Sequence, residues 1–78
     1  MFTPRTLTPE EDQRIDNAFT YHPPKGDQAE RYELLRSAGR SFAALILGYT
    51  PRSREQALAL TKLEEAIMWS NAAISRSE

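Results

Sequence analysis

The sequence lacks cysteine altogether and has only three glycines and one histidine among 78 residues. Without cysteine it can form neither a disulfide nor a thiolate metal site, and the single histidine, His22, has no second ligand at metal-binding spacing. There is no glycine-rich phosphate loop, and Glu64 and Glu65 are adjacent on a predicted helix, so they point about 100° apart. We therefore expect no catalytic residues, no bound metal and no cofactor, and a protein that is not an enzyme.

An excess of charge of one sign is also missing. The chain has ten basic and eleven acidic residues, for a net charge of −1. It therefore has no overall positive potential to attract the phosphates of duplex nucleic acid, and no polybasic cluster to bind an anionic membrane. The longest apolar run, Phe42–Leu47, is far shorter than the roughly 20 residues that cross a bilayer. The first residues carry no hydrophobic signal region, and we expect a cytoplasmic chain.

Short length limits what one copy can bury. A core of fewer than about 70–80 residues rarely supplies more than roughly 3–5 kcal/mol. Because disulfides and structural zinc are absent, association with further copies is the remaining common source of stability, and we expect a homo-oligomer.

Three capping signals predict three helices. Thr8 with Glu11 starts a short helix over about 9–19, Asp27 with Glu30 starts a long one over about 28–49, and Ser53 with Gln56 starts another over about 54–76.

Two connections separate these helices. Two prolines and a glycine make residues 21–26 a stiff, extended loop, whereas the short connection at 50–53 favours an antiparallel hairpin. The predicted fold is all-α and spans residues 1–78 as a single helical hairpin domain, with a short N-terminal helix followed by a long antiparallel two-helix hairpin.

Apolar residues at spacings of three and four predict the facing surfaces of the hairpin. They are Leu35, Ala38, Phe42, Leu45 and Tyr49 on the second helix, and Leu60, Leu63, Ile67, Ser70 and Ile74 on the third. Six other large apolar residues cannot all face the same seam (Leu34, Ile46, Leu47, Leu58, Met68 and Trp69). Exposing them is costly, so we expect a homo-oligomeric helical bundle. Gly39 provides either close helix packing or room for a ligand.

The loop after the first helix is the most informative segment for function. Phe19, Tyr21, His22 and two prolines, Pro23 and Pro24, fall within six residues. Flat side chains held by prolines are suited to stacking on a nucleotide base. The alternative is that the aromatic side chains simply anchor the loop to the hairpin.

Basic residues on the long helices allow a similar pair of interpretations. Arg36 and Arg40, four residues apart, could clamp a phosphate or belong to an ordinary solvated face relieved by Glu33. Arg76, near Asn71 on the last helix, could neutralise the final carbonyls of that helix or reach a ligand.

The motifs together resemble a known family. Phe19-Thr20-Tyr21-His22-Pro23-Pro24, Gln28, Arg31-Tyr32 and Arg36 form the first half of the pattern, and Pro51 to Glu55, Leu63 to Ala66, Met68-Trp69 and Asn71 to Arg76 form the second. They resemble the helical hairpin domain shared by phage anti-CBASS sponge proteins and Thoeris anti-defence sponges. Thoeris sponges carry an additional N-terminal β-domain, for which this chain has only eighteen residues, so the anti-CBASS sponge is the closer match.

The resemblance implies a mechanism. Such a sponge binds cyclic dinucleotides such as cGAMP, and in some members cyclic trinucleotides, in the cytoplasm of the infected bacterial host. It does not cleave them, so the CBASS effector stays inactive. The assembly is a homohexamer built from dimers, with dinucleotide pockets between protomers. Tyr21 matches the base-stacking residue and Arg36 the phosphate contact; His22, Pro24 and Arg40 are pocket neighbours, and Asn71 and Arg76 are candidates for a trinucleotide site.

Three alternatives stay open. The chain could be a Thoeris-type sponge that captures a cyclic ADP-ribose signal in the same scaffold. It could instead be a structural or adaptor hairpin with no small ligand, whose aromatic residues only pack. A phosphodiesterase is the most distant alternative, because metal ligands are lacking.

Overall fold

The computed structural model describes all residues from Met1 to Glu78 and contains three helices and no strand. They are α1 (Pro9–Phe19), α2 (Gln28–Tyr49) and α3 (Arg54–Ser77). The prediction of an all-α fold is confirmed. No helix is both long and apolar enough to span a membrane.

The start of α1 is a complete capping box, as predicted. The Thr8 hydroxyl accepts from the Glu11 backbone N–H at 3.1 Å, and the Glu11 carboxylate accepts from the Thr8 N–H at 3.0 Å. Arg5 adds a bidentate ion pair to the same carboxylate. Together these donors lower the pKa of Glu11 to about 2, with Arg5 the largest cause.

The predicted capping box of α2 is wrong. The Asp27 side chain caps no backbone N–H; its carboxylate instead accepts from Nε of Arg31 at 3.1 Å. The chain turns into α2 at Gly26, whose φ of +56° lies in the left-handed region that glycine adopts without strain.

The capping box of α3 forms only in half. Ser53 accepts from the Gln56 N–H at 3.1 Å, but the Gln56 amide turns away from the Ser53 backbone. It donates to the carbonyl and the hydroxyl of Thr50, both at 3.0 Å. Because these hydrogen bonds join the first turn of α3 to Thr50 at the end of α2, the buried Gln56 side chain stabilises the turn of the hairpin.

Two antiparallel helices, α2 and α3, form the hairpin. The side of α3 that faces α2 carries the predicted residues Leu60, Leu63, Ile67, Ser70 and Ile74, all of which are buried or half-buried. The prediction for this face of α3 is therefore confirmed.

The predicted seam of α2 is correct only at its start. From Leu35 the buried stripe continues through Gly39, Ala43 and Ile46, whereas Ala38, Phe42, Leu45 and Tyr49 are exposed. Both stripes repeat at spacings of three and four, and they differ by about one residue, or 100° around the helix. At Gly39 small size is required, because a Cβ atom there would meet Ile67 of α3, whereas Phe42, Leu45 and Tyr49 point outward.

The molecule is thin and extended. Its principal extents are 52 × 41 × 14 Å and its radius of gyration is 17.9 Å, compared with about 11.5 Å for a compact domain of this length. Ile74 is the one buried large apolar residue, and α1 makes few contacts with the hairpin. The exposed stripe of α2, Leu34, Phe42, Leu45 and Tyr49, is hereafter called the outer stripe.

Candidate functional site

An open cavity of about 420 Å³ lies where the loop after α1 meets the start of α2 and the end of α3. This volume is within the usual range for small-molecule sites. Six of the eight residues predicted from the sequence line it: Tyr21, His22, Pro24, Arg36, Asn71 and Arg76. The fold thus brings together residues that are up to 55 positions apart in the sequence.

The loop supplies the flat side chains. Tyr21 is 80% exposed, so its ring is free to stack on a ligand. His22 is held in place, because its Nε2 lies 2.8 Å from the Asn17 carbonyl at the end of α1. A carbonyl can only accept, so Nε2 carries the hydrogen and Nδ1 of the neutral ring is left as an acceptor.

The long helices supply positive charge. Arg36 pairs with Glu33 at 2.6 Å on an exposed surface, an arrangement worth little in free energy, so a ligand phosphate can compete for the guanidinium. Arg76, in the last turn of α3, forms no ion pair within the chain. The cavity lining includes both arginines and no carboxylate, which favours an anionic ligand.

Asn71 lies deeper, with its side-chain Oδ1 buried and without a hydrogen-bond donor. An unpaired buried acceptor costs free energy, so the Asn71 side chain gains from any rearrangement that brings it a donor.

Two predicted residues lie outside the cavity. Arg40 lines a neighbouring groove of about 340 Å³, which shares Arg36 with the cavity. The other residues that line this groove are Gly39, Ala43, Leu63, Glu64 and Ile67. Phe19 is 86% exposed and borders a separate groove beside α1 with Leu7 and Ile15.

Sequence reasoning missed Tyr32 and Ser75, which also line the cavity. A usable signal was present, because residues four apart share a helix face. Tyr32 precedes Arg36 by four residues and Ser75 follows Asn71 by four. The cavity therefore has a second aromatic side chain, on α2, in addition to Tyr21 on the loop.

No three His, Asp or Glu side chains come together as they do around a metal ion. The open cavity is lined by two tyrosines, two arginines and an imidazole, which are groups that can stack on bases and bind phosphates.

Comparison with known families gives one match. The Acb2/Tad1 hairpin domain matches residues 11–75, which is most of the chain and includes every lining residue of the cavity except Arg76. No curated protein and no solved structure matches significantly. Since the match spans all but the ends of the sequence, the chain belongs to the Acb2/Tad1 hairpin-domain family, whose members are anti-defence sponges.

Proposed function

We propose that this protein binds and sequesters cyclic oligonucleotide second messengers without cleaving them, and so keeps a CBASS effector inactive in the cytoplasm of a phage-infected bacterium. The ligands we propose are cyclic dinucleotides such as cGAMP, with cyclic trinucleotides as a second class. The observation that carries the proposal is the cavity itself, which combines aromatic side chains with two arginines and has no carboxylate in its lining.

The chemistry of the cavity suits such a ligand. A cyclic dinucleotide presents two bases, which stack on aromatic rings, and two phosphates, which guanidinium groups bind bidentately. We assign base stacking to Tyr21 and phosphate binding to Arg36. His22 and Pro24 shape the loop wall, and Asn71 and Arg76 contact a cyclic trinucleotide.

We further propose that the functional unit is a homo-oligomer, a hexamer built from dimers, in which each protomer contributes one hairpin domain spanning residues 1–78. Two features support association: the cavity is open on the single chain, and the outer stripe of α2 has no partner within it. A two-fold interface would supply one Tyr21 and one Arg36 from each protomer, which matches the two bases and two phosphates of one dinucleotide.

Isothermal titration against cyclic di- and trinucleotides and cyclic ADP-ribose isomers tests the proposal, on protein whose mass is known from light scattering. We expect tight binding at about one dinucleotide per two chains, and recovery of intact ligand after heat denaturation. Binding of cyclic ADP-ribose isomers alone would replace the proposal with a Thoeris-type sponge. If a folded protein gave no heat of binding with any of these compounds, the remaining interpretation would be an adaptor hairpin with no small ligand.

The site assignment has its own test. Tyr21→Ala and Arg36→Ala should each abolish dinucleotide binding and leave the mass unchanged. Phe19→Ala is a matched control for Tyr21, because this exposed aromatic residue lies outside the cavity. Undiminished binding by both cavity variants would refute the assignment.

A further inference from the structure

The three walls of the cavity meet at one buried side chain that does not line it. Gln28, the first residue of α2, is 4% exposed and is the most buried polar residue of the chain. A buried amide must satisfy both its donor and its acceptor, and Gln28 does so with groups from different segments.

The first link joins the loop to α2. The Oε1 atom of Gln28 accepts from the backbone N–H of Lys25 at 3.1 Å, and the Gln28 N–H donates to the Lys25 carbonyl at 3.0 Å. Lys25 directly follows Pro24, and Pro24 follows His22 by two residues, so this reciprocal pair fixes the end of the loop that lines the cavity.

The second link joins α2 to the end of α3. The Nε2 atom of Gln28 donates to the Ile74 carbonyl at 3.4 Å and to Oε1 of Glu78 at 3.2 Å. Ser75 and Arg76, which line the cavity, lie between these two acceptors. The last turn of α3 is therefore tied to the start of α2 on both sides of the cavity residues.

Charged groups reinforce this link from the solvent side. Arg31 forms a bidentate ion pair with Glu78 and also holds Asp27 at 3.1 Å. Lys25 donates through Nζ to the Glu78 carbonyl at 3.1 Å. None of Gln28, Arg31 and Glu78 lines the cavity.

We propose that Gln28 is a positioning residue, which holds the loop, α2 and α3 in the register that forms the binding cavity without itself touching the ligand. As a statement about ligand affinity, this rests on the proposed function. As a statement about the register of the walls, it rests on the hydrogen bonds alone.

The chain contains a matched control for this residue. Gln56 is also buried, lies in the first turn of α3 and also donates through its side-chain amide to acceptors outside its helix. It lies at the turn of the hairpin, whereas Gln28 lies at the open end, and the length of α2 between these ends is about 33 Å. Replacing either glutamine by glutamate preserves shape and removes the amide donors.

The test compares Gln28→Glu with Gln56→Glu. Glutamate at position 28 keeps an acceptor for Lys25 but places a carboxylate oxygen against the Ile74 carbonyl and the Glu78 carboxylate. We expect Gln28→Glu to weaken cyclic dinucleotide binding by at least tenfold, and Gln56→Glu to change it by less than twofold, in titrations well below both melting temperatures.

Amide hydrogen exchange provides a readout that needs no ligand. The amides of Ser75, Arg76 and Ser77 should exchange at least tenfold faster in Gln28→Glu than in Gln56→Glu. Equal affinity losses in the two variants, or unchanged exchange of these amides in Gln28→Glu, would overturn the proposal. If the wild-type protein binds no cyclic nucleotide, the proposed function fails, and the exchange comparison still decides whether Gln28 holds the walls together.

Discussion

Ile67 of α3 packs directly against Gly39 of α2 and leaves no room there for a side chain. A Cβ atom added at position 39 would stand 2.9 Å from Cγ1 and 3.1 Å from Cδ1 of Ile67. The absence of a side chain on α2 is therefore what lets the two helices approach here. Of the two roles considered for Gly39, close helix packing is the one that the structure shows.

Gly39→Ala should destabilise the protein. Alanine improves helix propensity by about 1 kcal/mol, but overpacking costs typically about 1–3 kcal/mol, because Ile67 must move. We expect a net loss of about 1 kcal/mol in the free energy of unfolding, measured by urea denaturation. Gly48→Ala is the control, since nothing lies within 4 Å of its added Cβ, and it should be neutral or stabilising. A stabilised Gly39→Ala variant would contradict the packing described.

Arg76→Ala and Arg40→Ala should affect ligand binding unequally. Arg76 lines the same cavity as Tyr21 and Arg36, whereas Arg40 lies in the adjacent groove. Losing a charge-assisted hydrogen bond costs about 1.5–3 kcal/mol, so we expect cyclic trinucleotide affinity to fall by roughly tenfold or more for Arg76→Ala. Arg40→Ala should cost several-fold less. The same titration series measures both variants, and a larger effect at Arg40 would shift the binding site into the groove.

Leu45→Glu should reduce the mass of the assembly, whereas Leu47→Glu should not. Both leucines are 55% exposed, but they lie two residues apart and so on opposite sides of α2. Only Leu45 belongs to the outer stripe, where a buried, unpaired carboxylate would be expensive. Light scattering should show a lower mass for Leu45→Glu, and circular dichroism should show retained helix. If only Leu47→Glu dissociated the assembly, the interface would lie on the side of α2 that carries Leu47.

Acid should weaken the link between α3 and α2. The Arg31 side chain is the largest cause lowering the pKa of Glu78, from 4.5 to about 2. A carboxyl group whose pKa is depressed on folding contributes stability above its unfolded pKa and loses it as the pH falls through its folded pKa. The melting temperature should therefore fall between about pH 4.5 and pH 2. Glu78→Gln should reduce that fall without removing it, because Glu11 has the same depressed pKa of about 2.

Helix positions were largely predictable from the sequence, but the facing surfaces were not. Thr8, Ser53 and the prolines determine where helices begin and end through contacts with adjacent residues, so these positions can be predicted from short stretches of sequence. On α2, two stripes have the same periodicity, and the more apolar one is the outer stripe. Periodicity and hydrophobicity alone cannot identify the inner one, because the choice depends on how closely Gly39 lets Ile67 approach.

In the candidate site, too, local motifs could be predicted from the sequence, whereas contacts between distant residues could not. Tyr21, His22 and Arg36 stood out because their side-chain chemistry suits nucleotides, and the motif grouped them. The connection through Gln28 could not be predicted, since glutamine in the first turn of a helix reads as an ordinary capping residue. Its partners at Ile74 and Glu78 are 46 and 50 residues away and become neighbours only when the hairpin closes.

The thinness of the hairpin has a calorimetric consequence. Unfolding normally raises the heat capacity by about 12–15 cal/mol/K per residue, chiefly because apolar surface becomes hydrated. A lone chain that buries one large apolar side chain, Ile74, has little such surface to release. The increase in heat capacity when a lone chain unfolds should therefore fall well below that range, and its thermal transition should be broad. An increment of ordinary size would mean that the missing apolar surface is buried between copies, so the heat capacity of unfolding reports assembly.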